Sequence, residues 1–197
     1  MKYNEQDALK IVIEAAKRYE EKLNDYHFKI TYLKDGKQVA AYIGFRDNNF
    51  LHLTGLKSKL SAPRFYKACI DGKLSVNDFE IDKNGKVQQK LCVLPYLHDL
   101  LYNACMIGDF INSGIMIKAD YFVGNTRAML SVGFRYGKTT DIPVSLYNED
   151  IRKQTQPTCQ VLLIERKLFK DKEYNDVTYI AKGYSYEDGK LAKKNES

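Results

Sequence analysis

The N-terminal region of the chain places its apolar residues at the spacing of an α-helix. Charged residues fill the positions between them, and Glu14 lies four residues before Arg18, where the two side chains can meet on the polar face. This pattern predicts an amphipathic helix over residues 5–24. Its apolar face consists of Leu9, Val12, Ile13, Ala16, Tyr19 and Leu23.

Two β-rich runs follow this helix and flank the dipeptide Asp35-Gly36. An Asp-Gly pair favours a tight hairpin because both central turn positions need a positive φ angle. We therefore expect strands near residues 27–34 and 38–45.

The next segment reads FLHLTGL, and its side chains alternate as they do along a strand. Phe50, His52 and Thr54 would share one side, and the intervening leucines would share the other. The alternation therefore predicts an extended segment.

Helical signals come next. Ser61 can cap a helix that carries an early proline. Ser75 and Asp78 form a capping pair for a short helical turn. The apolar spacing over residues 86–108 predicts a longer helix, which a short strand before Pro95 could precede.

The rest of the chain consists of β-rich runs separated by Gly, Asn, Asp and Pro. Most predicted helices lie in the N-terminal half of the chain, and most strands come after them. This order predicts an α+β fold, with N-terminal helices packed on an antiparallel sheet. We find no internal repeat and no long linker, so we expect one domain over residues 1–187 and a frayed polar tail over 188–197. The runs are IMIKADYFV, RAMLSVGFRYG, IPVSLY, CQVLLIERKLF and NDVTYIAKGY.

The composition is that of an ordinary globular protein. The 197 residues are 44% hydrophobic and 12% aromatic, which is enough to build a core and excludes a disordered chain. No apolar run approaches the roughly 20 residues of a membrane span. The charged N-terminus lacks the pattern of a secretory signal. We therefore expect a cytoplasmic protein with no membrane partner.

The cysteines and histidines lack the spacing of a metal site. The 4 cysteines contain no C-x-x-C pair, and each has apolar neighbours, as small buried side chains do. The 3 histidines are scattered, and the chain holds no H-E-x-x-H, Walker loop or G-x-G-x-x-G. The sequence therefore predicts neither a metal nor another cofactor.

Basic residues are concentrated in two windows that contain no acid. The net charge of +6 is modest and does not by itself indicate a nucleic-acid partner. The first window lies between Asp47 and Asp71, and the second lies between Asp120 and Asp141. They hold Lys57, Lys59, Arg64 and Lys67, and Arg127, Arg135 and Lys138, respectively.

His52 is the first candidate for chemistry, because it lies in the first basic window beside Thr54. A positioned imidazole can take up and return a proton, which contributes about a hundredfold to ten-thousandfold in rate. Neighbouring cations would favour its neutral form. The alternative is a partly buried histidine that hydrogen-bonds a backbone carbonyl.

The segment GNTRA in the second basic window is the second candidate. Asn125, Thr126 and Arg127 offer an amide, a hydroxyl and a guanidinium that can hold a phosphate. A Gly-Asn pair is also an ordinary hairpin turn. Lys118 on the preceding strand and Lys138 at a later turn could add cations, although lysines on strands usually face solvent.

A third candidate interleaves aromatic and basic residues at Arg64, Tyr66 and Lys67. Stacking together with phosphate contacts is how proteins hold single-stranded nucleic acid. Tyr66 also lies at helical spacing among apolar residues, so a place in the core is the alternative.

Together these residue types favour RNA as a substrate. Cleavage of RNA through its own 2′-hydroxyl needs a base, cations that stabilise the phosphorane charge, and an acid for the 5′-oxygen. DNA lacks this internal nucleophile. The sequence therefore predicts metal-independent cleavage of RNA.

Short strings along the chain also occur in a characteristic order and spacing. They are NFLHLTG (49–55), FYKAC (65–69), KLS (73–75), IGD (107–109) and GNTRA (124–128). Together they resemble phage-borne nucleases of the barnase/EndoU/colicin/RelE-like superfamily, whose fold is abbreviated BECR. The resemblance covers most of the chain and implies a metal-independent endoribonuclease with leading helices packed on an antiparallel sheet.

The resemblance places residues of this chain at the motifs of that superfamily. His52 and Thr54 match the first motif, Tyr66 and Lys67 the second, and residues 125–127 the third. We predict as catalytic His52, Thr54, Lys67 and Arg127, and as RNA-binding Lys57, Lys59, Arg64, Tyr66, Lys118, Asn125, Thr126 and Lys138.

A phage-borne ribonuclease implies a host RNA as partner. The candidates are tRNA, ribosome-bound mRNA and the guide RNA of a CRISPR effector, and cleavage of a guide in a guide-loaded Cas effector would give anti-CRISPR activity. The alternative from another class is a non-catalytic inhibitor that binds a nucleoprotein complex through its basic surface.

Overall fold

The structure, a computed structural model, describes residues 2–82, 85–111, 118–125 and 129–194. All α-helices in these residues precede the main run of strands. They are α1 (Glu5–Lys22), α2 (Asp47–Thr54), α3 (Ala62–Ile70) and α4 (Lys86–Val93), and the 3-10 segments are Val76–Asp78, Leu94–Tyr102 and Ile151–Lys153.

The strands of the described residues form one large antiparallel sheet and two small ladders. They are β1 (Tyr26–Lys34), β2 (Lys37–Gly44), β3 (Lys57–Ser58), β4 (Phe79–Glu80), β5 (Met106–Phe110), β6 (Tyr121–Asn125), β7 (Leu130–Arg135), β8 (Ile142–Asn148), β9 (Thr155–Leu168), β10 (Asp176–Ile180), β11 (Tyr184–Glu187) and β12 (Lys190–Lys193). The large sheet has the order β2-β1-β9-β5-β6-β7-β8, and β10 also pairs with β9. β3 pairs with β4, and β11 pairs with β12. This architecture confirms the predicted α+β class.

The hairpin of β1 and β2 confirms the Asp-Gly prediction. Asp35 and Gly36 adopt φ angles of 51° and 74°, as the tight turn requires. Lys34 therefore pairs with Lys37 across the turn. Lys34 is the last residue of β1, and its side chain reaches Asp109 near the end of β5.

The large sheet curls until strands from its two edges meet. The Gly44 N–H donates to the Asp141 carbonyl at 3.0 Å, and the Asp141 N–H donates to the Tyr42 carbonyl at 2.7 Å. Gly44 and Tyr42 belong to β2, and Asp141 directly precedes β8. These backbone bonds join the two ends of the strand order, so one face of the sheet is concave.

The core fills this concave face. Phe45, just after β2, contacts Phe134 on β7 with ring centroids 6.0 Å apart, although these elements lie far apart in the strand order. Tyr19 of α1 packs edge-on against Phe45, Phe50 and Tyr66. The helices therefore pack against the inside of the curled sheet, through a cluster of aromatic side chains.

The prediction of an extended FLHLTGL segment is wrong, because these residues belong to α2 and its end. The Arg46 N–H donates to Asn49 Oδ1 at 2.9 Å and starts the helix. Gly55 ends it at a φ of 74°. Phe50 and Leu53 are both fully buried, and their three-residue spacing places them on one helix face.

The prediction for residues 86–108 holds in its first part only. α4 and the 3-10 segment Leu94–Tyr102 are helical, whereas β5 begins at Met106. The short strand before Pro95 does not form, because residues 86–93 belong to α4. The capping pair of Ser75 and Asp78 starts a 3-10 turn, as predicted.

The C-terminal residues differ from the predicted frayed tail. β12 pairs with β11, and the turn between them is formed by Asp188 and Gly189 with φ angles of 48° and 73°. This is the same turn chemistry as in the hairpin of β1 and β2. Lys118 also differs from its prediction, because it precedes β6 and is not on a strand.

Candidate active site

A cleft opens on the concave face, where β1 ends and β2 begins. Its cavity volume is about 180 Å³. β1, β2, β5, β6 and β9 line it, together with the loop 136–141 between β7 and β8, which we call the rim loop. Its polar side chains include those of Tyr32, Lys34, Asp109, Tyr121, Tyr136 and Asp141.

An ion pair lies in this cleft. Lys34 Nζ donates to Asp109 Oδ2 at 2.6 Å, and the two side chains keep 34% and 45% of their surface exposed. The hydrogen bond to Asp109 raises the pKa of Lys34 above its usual value. Lys34 is therefore a fixed cation at neutral pH, and solvent or a substrate can reach both members of the pair.

Tyrosine hydroxyls surround the ion pair. Burial raises the pKa of Tyr32, with Lys34 and Asp109 among the charges that act on it. Tyr121 donates to Asp141 Oδ2 at 2.7 Å, and burial together with this bond raises its pKa strongly. Both phenols therefore stay protonated and can act as hydrogen-bond donors.

A glycine lets β5 and β9 come close together in the wall of the cleft. A Cβ atom on Gly108 would lie 2.5 Å from the Pro157 carbonyl oxygen and 2.7 Å from the Thr155 side chain. Any side chain at this position would push the two strands apart.

The rim loop is held by carboxylates. The Tyr136 N–H donates to Asp120 Oδ2 at 2.7 Å, and the Gly137 N–H donates to Asp141 Oδ1 at 3.0 Å. A Cβ on Gly137 would lie 2.0 Å from the Thr140 carbonyl oxygen, so the loop needs glycine there. These contacts fix the loop over the cleft.

His52 is not among the residues that line the cleft. Its side chain is exposed on α2, and its backbone carbonyl accepts a hydrogen bond from Lys90 Nζ at 3.0 Å. The lining of the cleft, within the residues that the structure describes, also includes none of the cations of the first basic window. A catalytic role of His52 stays a prediction.

The cations of the first basic window lie on an exposed surface around α2 and α3. Lys57 Nζ lies 3.0 Å from Asp82 Oδ2, and Lys67 Nζ lies 3.8 Å from a neighbouring carboxylate. Lys59 and Arg64 are exposed as well. This surface can meet phosphates, but two of its cations already face acidic groups.

Tyr66 and Thr54 lie in the core, which corrects the predicted RNA-binding role of Tyr66 and the predicted catalytic role of Thr54. Tyr66 is 5% exposed and donates to Glu20 Oε2 at 2.6 Å. Thr54 is 0% exposed, donates to the Leu51 carbonyl at 2.8 Å and accepts from the Leu56 N–H at 3.1 Å. Neither side chain can reach a nucleotide, because packing and internal hydrogen bonds use both of them.

The GNTRA segment begins at the end of β6. Asn125 pairs with Leu130, at the opposite end of the strand from Tyr121, and does not line the cleft. Thr126 and Arg127 lie outside the described residues. Their predicted contacts with phosphate, and the catalytic role of Arg127, stay predictions.

The two additional cations lie on different segments. Lys138 is exposed in the rim loop, between Tyr136 and Asp141 of the cleft lining. Lys118 is exposed in the segment before β6. Of these two lysines, Lys138 is the one whose loop contributes to the cleft.

Comparison with known proteins decides the family. A family model described as phage-Barnase-EndoU-ColicinE5/D-RelE like nuclease4, abbreviated PBECR4, matches residues 11–183. The chain belongs to this family. No curated protein and no solved structure matches the chain.

The family match includes the whole cleft of this PBECR4 nuclease. It begins inside α1 and ends before β11, so it contains every strand and side chain that lines the cleft. Membership confirms the resemblance and the BECR-like fold, and it indicates nuclease activity.

Local sequence patterns do not mark most of the cleft residues of the PBECR4 nuclease. Tyr32 and Lys34 fall within the strand predicted near residues 27–34, where nothing in the pattern indicates a function. Asp109 was present in the IGD string that carried part of the resemblance, and this string was the signal that could have pointed to it. The cleft joins residues that are distant in the chain, so local patterns could not bring them together.

Potential metal ligands are dispersed in this PBECR4 nuclease. The described residues contain no group of three or more His, Cys, Asp or Glu side chains that could hold a metal ion. Cys69 and Cys105 are buried as predicted, whereas Cys92 is exposed, and all of the cysteines are free. No helix in the same residues is long and apolar enough to cross a membrane.

Lys90 is a partly buried lysine of α4 that lies against the end of α2 and has a lowered pKa. Burial, and then the nearby charge of Lys86, lower its pKa to about 8. A Cβ on Gly55 would lie 2.7 Å from Lys90 Cδ, so this glycine makes room for the lysine at the end of α2.

The depressed pKa of Lys90 predicts a pH-dependent stability. An unfolded chain keeps this proton up to about pH 10.4, so between about pH 8 and that value the unfolded state binds more protons than the folded state. The contribution of Lys90 to the free energy of unfolding should therefore rise with pH across this window. Urea unfolding of wild type and Lys90→Met at pH 7.5 and pH 9.5 measures the contribution of Lys90.

The control for this prediction is Lys10→Met, which removes an exposed lysine on α1. Lys10→Met should keep the wild-type change in stability between the two pH values, and Lys90→Met should be less favoured by the higher pH than wild type is. The same change in wild type and Lys90→Met would show that Lys90 makes no such contribution.

Proposed function

We propose that this nuclease is a metal-independent endoribonuclease whose active site is the cleft on the concave face. The observation that carries the proposal is the Lys34–Asp109 ion pair, at 2.6 Å, beside the half-buried phenol of Tyr32. These groups supply a cation, a carboxylate and a proton donor within one solvent-open cavity. RNA cleavage through the 2′-hydroxyl needs this combination.

Each group has a distinct role in the proposed reaction. The Asp109 carboxylate takes the proton of the 2′-hydroxyl, and the 2′-oxygen attacks the adjacent phosphorus. The Lys34 ammonium stabilises the charge that develops on the phosphorane oxygens. Tyr32 donates its proton to the departing 5′-oxygen, so the products are a 2′,3′-cyclic phosphate and a free 5′-hydroxyl.

Tyr32 suits the role of the acid because its hydroxyl has no hydrogen-bond partner among the described residues. The hydroxyl of Tyr121 instead donates to Asp141, which makes it a less suitable donor. Attack by an internal hydroxyl requires no metal-activated water, and this supports RNA over DNA as the substrate.

The family description supports a phage context and therefore a host RNA as the target. The candidate targets are tRNA, ribosome-bound mRNA and a CRISPR guide RNA. Cleavage of a guide would make the protein an anti-CRISPR ribonuclease that acts in the host cytoplasm. Purified protein should be tested against each RNA alone and against a guide-loaded Cas effector.

The proposal predicts RNA cleavage in the presence of EDTA. The products should carry 2′,3′-cyclic phosphate and 5′-hydroxyl ends, because the nucleophile is internal. A single 2′-deoxy substitution at the cleaved nucleotide should abolish cleavage at that bond. Gel electrophoresis with end-group analysis by mass spectrometry measures both results.

The same assay separates the competing interpretations. His52→Ala should keep activity within about twofold of wild type if the cleft is the active site, whereas loss of about a hundredfold would favour His52 as the base. Cleavage that needs added magnesium would contradict the metal-independent mechanism. Inhibition of a nucleoprotein complex that leaves its RNA intact would favour the non-catalytic inhibitor.

A further inference from the structure

Tyr136 is unusual because a large aromatic side chain at the rim of the cleft remains mostly in solvent. It is 67% exposed, more than any other exposed large apolar or aromatic residue of the described chain. Tyr136 lines the cleft with Lys34 and Asp109, and both of these charges act on its phenol. An aromatic ring therefore stands, largely uncovered, next to the proposed catalytic pair.

Hydrogen bonds to two carboxylates hold the backbone next to this ring. The N–H groups of Tyr136 and Gly137 donate to Asp120 and Asp141 at 2.7 Å and 3.0 Å. The ring leans on Tyr121, with centroids 5.5 Å apart and planes inclined by 36°. A ring held in place loses little conformational freedom when a ligand stacks on it, so the contact can contribute to affinity.

The dimensions of the cleft limit what can occupy it. Its volume of about 180 Å³ corresponds to roughly six water molecules, which is room for a single ring system. The backbone bonds between Asp141 and β2 close the cleft on one side. A paired and stacked base could not enter such a cavity without leaving its helix.

We infer that Tyr136 is a base-stacking residue that holds one unpaired nucleobase beside the scissile phosphate. The substrate is then RNA that is single-stranded at the point of cleavage, such as a loop, a bulge or an end. Unpaired bases expose their faces to aromatic side chains, whereas bases inside a helix do not. This inference rests on the proposed function, since the cleft must be the nucleotide site, and it adds the conformation of the substrate.

A binding experiment tests the stacking without any need for cleavage. The probes are uncleavable 2′-O-methyl oligonucleotides with 2-aminopurine in place of one base, and fluorescence reports both binding and stacking. Wild type should bind and quench the fluorophore. Tyr136→Ala should bind about tenfold more weakly with less quenching, because loss of one stacked base costs about that factor. Tyr136→Phe should bind as wild type, since the ring is kept.

The matched control is Tyr96→Ala. Tyr96 is also highly exposed, at 57%, but it lies on the 3-10 segment Leu94–Tyr102 and does not line the cleft. Tyr96→Ala should leave binding unchanged. Equal binding by wild type and Tyr136→Ala, or an absence of quenching by wild type, would overturn the inference.

A cleavage experiment separates the inference from the proposed function. The same RNA sequence is presented as a single strand and annealed to its complement. Cleavage of the single strand alone supports the inference, and equal cleavage of the duplex overturns it while the nuclease assignment stands. Tyr136-dependent quenching without cleavage of any RNA would contradict the proposed function and leave Tyr136 as a stacking residue.

Discussion

Replacement of Lys34 by methionine is expected to lower the rate of RNA cleavage about a hundredfold or more. Methionine keeps the length of the side chain but removes the ammonium that lies 2.6 Å from Asp109. A group that stabilises developing charge in a preorganised site contributes about this much to the rate. Single-turnover cleavage in excess enzyme measures the effect on the chemical step.

Lys37→Met provides the matched control for this experiment. Lys37 pairs directly with Lys34 across the hairpin, so the two variants remove the same charge from neighbouring positions. Lys37 is exposed and does not line the cleft, so Lys37→Met should cleave as wild type does. A similar loss in both variants would indicate a general effect of charge on RNA binding and would argue against Lys34 as a catalytic residue.

Replacement of Tyr19 by alanine is expected to lower the free energy of unfolding by about 3–5 kcal/mol. Tyr19 is 1% exposed and contacts Phe45, Phe50 and Tyr66 at the point where α1 meets the concave face of the sheet. Alanine would leave a cavity among these rings. Urea denaturation followed by circular dichroism measures the change.

Tyr19→Phe isolates the hydroxyl from the ring. The hydroxyl donates to the Arg46 carbonyl at 2.9 Å, and loss of such a bond costs about 1 kcal/mol. Tyr19→Phe should therefore be clearly more stable than Tyr19→Ala. If the two variants lost the same stability, the hydrogen bond and not the ring packing would hold α1 in place.

Local patterns were sufficient where neighbouring residues decide the structure. The apolar spacing of α1 and the Asp35-Gly36 turn depend on contacts within a few residues, and both predictions are confirmed. The same turn signal is present at Asp188-Gly189, but the polar residues around it lack the apolar alternation that indicates strands. α2 was predicted as a strand because its short sequence fits both periods, and the capping bond of Asn49 decides between them.

The candidate active site could not be predicted in the same way, because it depends on distant pairings. Lys34 meets Asp109 since β9 lies between β1 and β5 in the sheet. Nothing near Lys34 in the chain indicates that neighbour. The exposed His52 was the more conspicuous residue by type, but the fold does not place it in the cleft. The burial of Tyr66, by contrast, agrees with a local pattern, because its helical spacing among apolar residues indicates the core.

The central position of β9 has a consequence for the synthesis of the protein. β1 and β5 each pair early with one neighbour, β2 and β6, but each obtains its second sheet partner only when residues 155–168 have left the ribosome. Pairing between such distant segments is slow and comes late in folding. The strands that carry Lys34 and Asp109 are therefore joined through β9, and the cleft is assembled only after nearly the whole protein has been made.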